Sequence, residues 1–82
     1  MDFRTTALYI VTVSYRSLVF EDAIEALSLQ HAASTGVSRY CGFDMDPSTW
    51  KRRSNRARNP SRFLSLRSQC RSVHVVAEAL SY

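Results

Sequence analysis

Residues 6–14 read Thr-Ala-Leu-Tyr-Ile-Val-Thr-Val-Ser, with Leu8, Ile10 and Thr12 on one face of a pleat and Tyr9, Val11 and Val13 on the other. β-Branched and aromatic side chains stiffen a helix unfavourably but pack well on a pleated surface. The run is therefore a strand, and because it is apolar on both faces it belongs in the centre of a sheet. Everything else in the chain must supply neighbours for it. With 82 residues in total, one hydrophobic core is all the chain can build, so residues 1–82 form a single domain.

The composition agrees: 45% hydrophobic, 22% charged, and only two glycines and two prolines, values of an ordinary globular domain. No apolar run approaches the roughly 18 residues of a membrane span, so no membrane partner is expected. The opening Met1-Asp2-Phe3-Arg4 lacks the basic head and apolar stretch of a secretory leader, which makes a cytoplasmic address the expectation. Cys41 and Cys70 then read as free thiols.

From Phe20 to Ala33 the apolar positions Phe20, Ala23, Ile24 and Leu27, with His31, fall on one stripe at a period of 3.6, and Glu21 and Asp22 suit a first turn. This predicts an amphipathic helix, ended by Gly36 as its left-handed C′ residue. Val37 to Met45 alternates and predicts a strand weakened at Gly42. Asp46-Pro47 offers an N-cap and a proline at the first helical position, opening a short helix or turn-rich arm that Asn59-Pro60 closes. Arg62–Gln69 and Ser72–Tyr82 both alternate as strands, although the Ala- and Leu-containing end of the second also suits a helix. The expected architecture is α+β: one amphipathic helix packed on a three- or four-stranded, mainly antiparallel sheet, with a basic arm, residues 47–62, inserted.

Charge is divided unevenly along this plan. Residues 1–46 carry three arginines against six carboxylates, a net of −3, whereas residues 47–82 carry eight cations against Glu78 alone, a net of +7. No acid lies between Asp46 and Glu78. The eight cations therefore meet solvent, the acidic first half or an external polyanion. Within the arm, Lys51, Arg52, Arg53, Arg56, Arg58 and Arg62 alternate with small hydrogen-bonding residues, and Trp50 and Phe63 flank them. Guanidinium forks beside aromatic rings are what phosphate recognition and base stacking require. Trp50 is the anchor of this surface, and Tyr40 and Phe63 are the candidates for stacking.

Other chemistries find little footing. Two isolated glycines make neither a Walker-type nor a dinucleotide-binding loop. The carboxylates show no pairing suited to acid–base hydrolysis. His31, Cys41, Cys70 and His74 are ligand types for zinc but have no knuckle spacing. Cys70 and His74, four apart in a strand, stand roughly 13 Å from each other. No cofactor, no metal and no catalytic residue are expected, and the chain reads as a binding protein and not an enzyme.

Ala7–Ser14, then Phe20-Glu-Asp-Ala-Ile-Glu-Ala-Leu27, then Gly36–Tyr40 resemble the strand, helix and returning strand of small phage-encoded host-takeover proteins, among them RNA-polymerase inhibitors and anti-CRISPR proteins. The resemblance covers about half the chain, and it implies a β-α-β core and a protein that inhibits a host nucleic-acid machine by occupying one of its surfaces. The expected function is docking on an acidic or polyanionic surface of a nucleic-acid-handling host complex. The alternative is direct binding of DNA or RNA by the same arginines, and an unpaired edge strand would support a homodimer.

Overall fold

The computed structural model describes residues 6–44, 49–53, 62–69 and 71–80. They form β1 (Ala7–Tyr15), β2 (Leu18–Ala26), α1 (Leu29–Cys41), β3 (Trp50–Arg53), β4 (Phe63–Ser68) and β5 (Val73–Ala79). The class is α+β, with one helix laid on an open five-stranded sheet of order β2-β1-β5-β4-β3, every neighbouring pair antiparallel. β1 lies inside the sheet, between β2 and β5, as its two apolar faces demand.

One face of the sheet carries the core. Tyr9, Val11 and Val13 of β1, Ile24 and Ala26 of β2, Leu64 and Leu66 of β4 and Val73, Val75 and Ala77 of β5 are buried there with Ala32, Ala33 and Val37 of α1. Directly opposite residues of an antiparallel pair share a face. The other face is therefore made by Leu8, Ile10, Thr12 and Ser14 of β1, Val19, Glu21, Ala23 and Glu25 of β2, His74, Val76 and Glu78 of β5, Phe63, Ser65 and Arg67 of β4, and the positions of Lys51 and Arg53 in β3. No described helix covers it.

The order of elements departs from the β-α-β reading. The segment expected to begin the helix, Phe20 to Ala26, lies in β2. Phe20, Ile24 and Ala26 share a face at period 2, while Phe20, Ala23, Ile24 and Leu27 share a stripe at 3.6, so the segment satisfies both patterns. The nine-residue register with β1, from Ala7 opposite Ala26 to Tyr15 opposite Leu18, settles the choice, because it gives the backbone a full ladder. The helix starts nine residues late, at Leu29, after an N-cap where the Ser28 Oγ accepts the His31 N–H at 3.1 Å. No acid occupies its first turn.

The strand expected over Val37–Met45 is instead the second half of α1 as far as Cys41. Gly36 does not end the helix. It is buried in its middle, and a Cβ built on it would stand 2.6 Å from Val11 Cγ1, so glycine here is what lets the helix lie down on β1. Gly42 takes the capping role, with φ of 77° and its N–H donated to the Ser38 carbonyl at 3.2 Å. The helical or turn-rich arm is corrected at its start as well: Trp50–Arg53 is a strand, bringing the sheet to five instead of three or four. The C-terminal run is a strand, Val73–Ala79. Residues 45–48, with the expected Asp46-Pro47 helix start, and residues 54–61, which hold most of the expected arm, lie outside the described residues.

Candidate nucleic-acid interface

Of the residues read as a phosphate or partner surface, the structure scatters some and joins others. Trp50, the expected anchor, is 8% exposed and belongs to the core on the helix-covered face. It holds β3 to the domain and cannot reach a partner. Arg52 is exposed on the same face as Trp50, while Lys51 is exposed on the open face. Arg53 ends β3, opposite Ser65. Arg62 is exposed and donates to the Leu80 carbonyl at 3.0 Å, tying the entry of β4 to the end of β5. Arg56 and Arg58 lie outside the described residues, as does Cys70.

The two stacking candidates divide. Tyr40 is occupied: its ring stacks on Phe20 with centroids 4.8 Å apart and planes 6° from parallel, and its hydroxyl donates to Asp22 Oδ2 at 2.8 Å. Arg39 donates to the same oxygen at 2.6 Å. These two hydrogen bonds, Tyr40 first, hold the Asp22 carboxyl below its ordinary pKa, and the bond to the carboxylate in turn raises the Tyr40 phenol. The arrangement clamps α1 to β2 and is not available to a base. Phe63 is half-buried on the open face of β4.

The sheet assembles a basic site that the arm did not announce. Lys51 lies directly opposite Arg67, Arg67 opposite His74, His74 opposite Ser14, and Ser14 opposite Val19, so one row crosses all five strands on the open face. At about 4.8 Å per strand the row is roughly 19 Å long. Like charges directly opposite on neighbouring strands repel, and Lys51 and Arg67 have no carboxylate in their row. His74 contributes a ring nitrogen fixed by Ser65, whose Oγ lies 2.7 Å from Nε2.

Beyond this row the β1–β2 and β4–β5 connections add two more guanidinium groups. The β1–β2 hairpin closes with the two residues Arg16 and Ser17, at φ of 52° and 66°, between the paired Tyr15 and Leu18. Two successive left-handed residues make the turn whose twist matches the flanking strands, a place usually held by Asn-Gly. For Arg and Ser the left-handed conformation costs roughly 1 kcal/mol each. The chain tolerates that cost and gains a cation at the tip of the hairpin. The Arg16 guanidinium sits 5.1 Å from the Tyr15 ring centroid, and that of Arg71 sits 4.0 Å from the Phe43 centroid. The Arg71 N–H also donates to Ser68 Oγ at 3.0 Å.

Arg16, Arg67, Arg71 and His74, with the hydroxyls of Ser14 and Ser72 among others, line one open cleft of about 830 Å³. Among the described residues no carboxylate lines it. Such a set can form bidentate, charge-assisted hydrogen bonds to an anion with oxygens on several sides, as a phosphodiester presents. Sequence reading placed Arg67 and His74 on alternating strand faces but left them out of the site, since only the pairing of β3, β4 and β5 reveals that they share a row with Lys51. Among the described residues no group of three histidine, cysteine, aspartate or glutamate side chains converges, and no helix is long and apolar enough to cross a membrane. Compared with family models, curated proteins and solved structures, the chain matches none.

Proposed function

We propose that this chain is a non-enzymatic nucleic-acid-binding protein that grips phosphates with the basic row and cleft at the hairpin end of its open sheet face. The reading rests on one observation above all: Lys51 and Arg67 face each other without an intervening acid, next to a cleft that gathers Arg16, Arg71 and His74 and has no carboxylate among its described lining residues. An arriving phosphate relieves that repulsion, and this gives the site its preference for a polyanion. Phe63, Ser65 and Arg67 alternate along the same face of β4, so Phe63 stands about 13 Å from Arg67. A single strand with a phosphate at Arg67 has its bases within reach of that ring, and stacking on it adds affinity without reading sequence.

A second reading keeps the same residues and changes the partner: docking on an acidic protein surface of a nucleic-acid-handling complex, as the host-takeover resemblance implies. The observation in its favour is that Trp50 is buried and Tyr40 is stacked on Phe20, which leaves fewer rings for bases than the sequence offered. Guanidinium groups bind carboxylates without any ring.

Fluorescence anisotropy with labelled single-stranded and duplex oligonucleotides, at about 50 mM and 200 mM salt, separates the two. Direct binding predicts a steep loss of affinity between those conditions. Changing Arg16, Arg67 and Arg71 together to Ala should weaken single-strand binding at least tenfold, and flatten the log–log salt slope by about two for three lost phosphate contacts. Absence of binding to every oligonucleotide at the lower salt overturns the nucleic-acid reading and leaves the acidic protein surface.

A further inference from the structure

The sheet has two edges, and they carry opposite charge. β2 pairs with β1 alone and β3 with β4 alone among the described strands. Every charged residue of β2 is acidic, namely Glu21, Asp22 and Glu25. Every charged residue of β3 is basic, namely Lys51, Arg52 and Arg53. An edge strand presents unpaired backbone donors and acceptors to any other strand, and charge along it repels a copy of itself. Here that protection works for β2 against β2 and for β3 against β3, but fails for β2 against β3.

A second observation marks the same edge. The large hydrophobic residues exposed among the described residues are Leu18 at 58%, Val19 at 68% and Leu27 at 41%. Leu18 and Val19 open β2, and Leu27 directly follows it. They stand at the two ends of the strand, roughly 26 Å apart, so each end of the acidic edge presents apolar surface that a neighbouring strand would cover.

We infer that the acidic β2 edge of one copy receives the basic β3 edge of a second copy, extending the sheet from molecule to molecule. Strand direction fits. β2 and β3 run parallel to each other, because the order β2-β1-β5-β4-β3 reverses direction four times between them. A copy placed alongside with its helix on the same side therefore adds β3 parallel to β2. The face-preserving register with Lys51 beside Glu21 also sets Arg52 beside Asp22. Such a head-to-tail contact is heterologous, so it does not close on itself at two copies and continues with concentration. It leaves the open face outward and does not depend on nucleic-acid binding.

The test uses nuclease-treated, nucleic-acid-free protein in sedimentation velocity. The wild-type chain should form species larger than a monomer as concentration rises at low salt, and return to monomer at high salt, where ion pairs are screened. Two charge-reversed proteins sharpen it, one carrying Glu21→Lys with Glu25→Lys and the other Lys51→Glu with Arg52→Glu. Each has two edges of one sign and should stay monomeric alone, while an equal mixture should assemble again. Circular dichroism showing native-like spectra for both confirms that the exposed edge positions were changed without unfolding. A wild-type protein that is monomeric at low salt at every concentration overturns the inference, as does a mixture of folded variants that stays monomeric. Assembly that disappears with nuclease treatment overturns it as well, without touching the phosphate site.

Discussion

One departure from the expected fold, the helix running on past Gly36, turns on a single residue. Gly36 lies under Val11, and a methyl group in its place would meet Val11 Cγ1 at 2.6 Å. Val11 is fully buried and β-branched on a strand, so it has little room to turn. Alanine is the better helix former by about 1 kcal/mol, yet overpacking of this kind costs about 1–3 kcal/mol. Gly36→Ala should therefore lower stability in chemical denaturation, and Val11→Ala should cost less in that background than in the wild type. A stabilised Gly36→Ala protein would show that the helix rides higher on the sheet than described. Asp22 offers a second measurement. Its folded pKa lies below its ordinary value through the Tyr40 and Arg39 hydrogen bonds, so its contribution is present above the ordinary carboxylate pKa and is lost as pH falls through the folded one. The thermal midpoint should drop over that acidic window, and the drop should be shallower in Asp22→Asn. Equal slopes would mean that the clamp between β2 and α1 adds nothing in solution.

At the scale of elements, the β1–β2 hairpin is where local preference and the candidate site disagree. Arg16 and Ser17 both occupy left-handed backbone that Asn and Gly adopt with less strain. Replacing the pair by Asn-Gly should stabilise the protein by about 1–2 kcal/mol in urea titration, while lowering oligonucleotide affinity by the loss of one cation. A variant that is more stable and binds equally well would remove Arg16 from the site. The same scale explains what was legible. The alternation of Arg62–Gln69 is strong enough that β4 follows from it directly, whereas Ser72–Tyr82 also suits a helix at its Ala- and Leu-containing end and only its pairing with β1 and β4 makes it β5. Phe20 to Ala26 is short and satisfies two periods at once, so no local count distinguishes a strand from a helix there. Val37–Cys41 belongs to a stripe that begins at Ala32 and Ala33, before Gly36. Taking Gly36 as a stop breaks that stripe and turns its remainder into an apparent strand.

At the scale of the molecule, a charge difference written along the chain becomes a difference across the sheet. The acidic first half supplies β2 and the basic second half supplies β3 and β4, and the strand order sends β2 to one edge and β3 to the other. The sequence by itself determined the central strand, the Arg62–Gln69 strand, the α+β class and the net charge of each half, since these depend on side-chain chemistry and on periods spanning a few neighbours. Which face each cation occupies, that Trp50 is core and Tyr40 spoken for, and that Lys51 meets Arg67 were decided by the tertiary structure alone. Strand pairing joins residues far apart in the chain, and a shift of one position sends every side chain to the opposite face, so no local pattern could assign them.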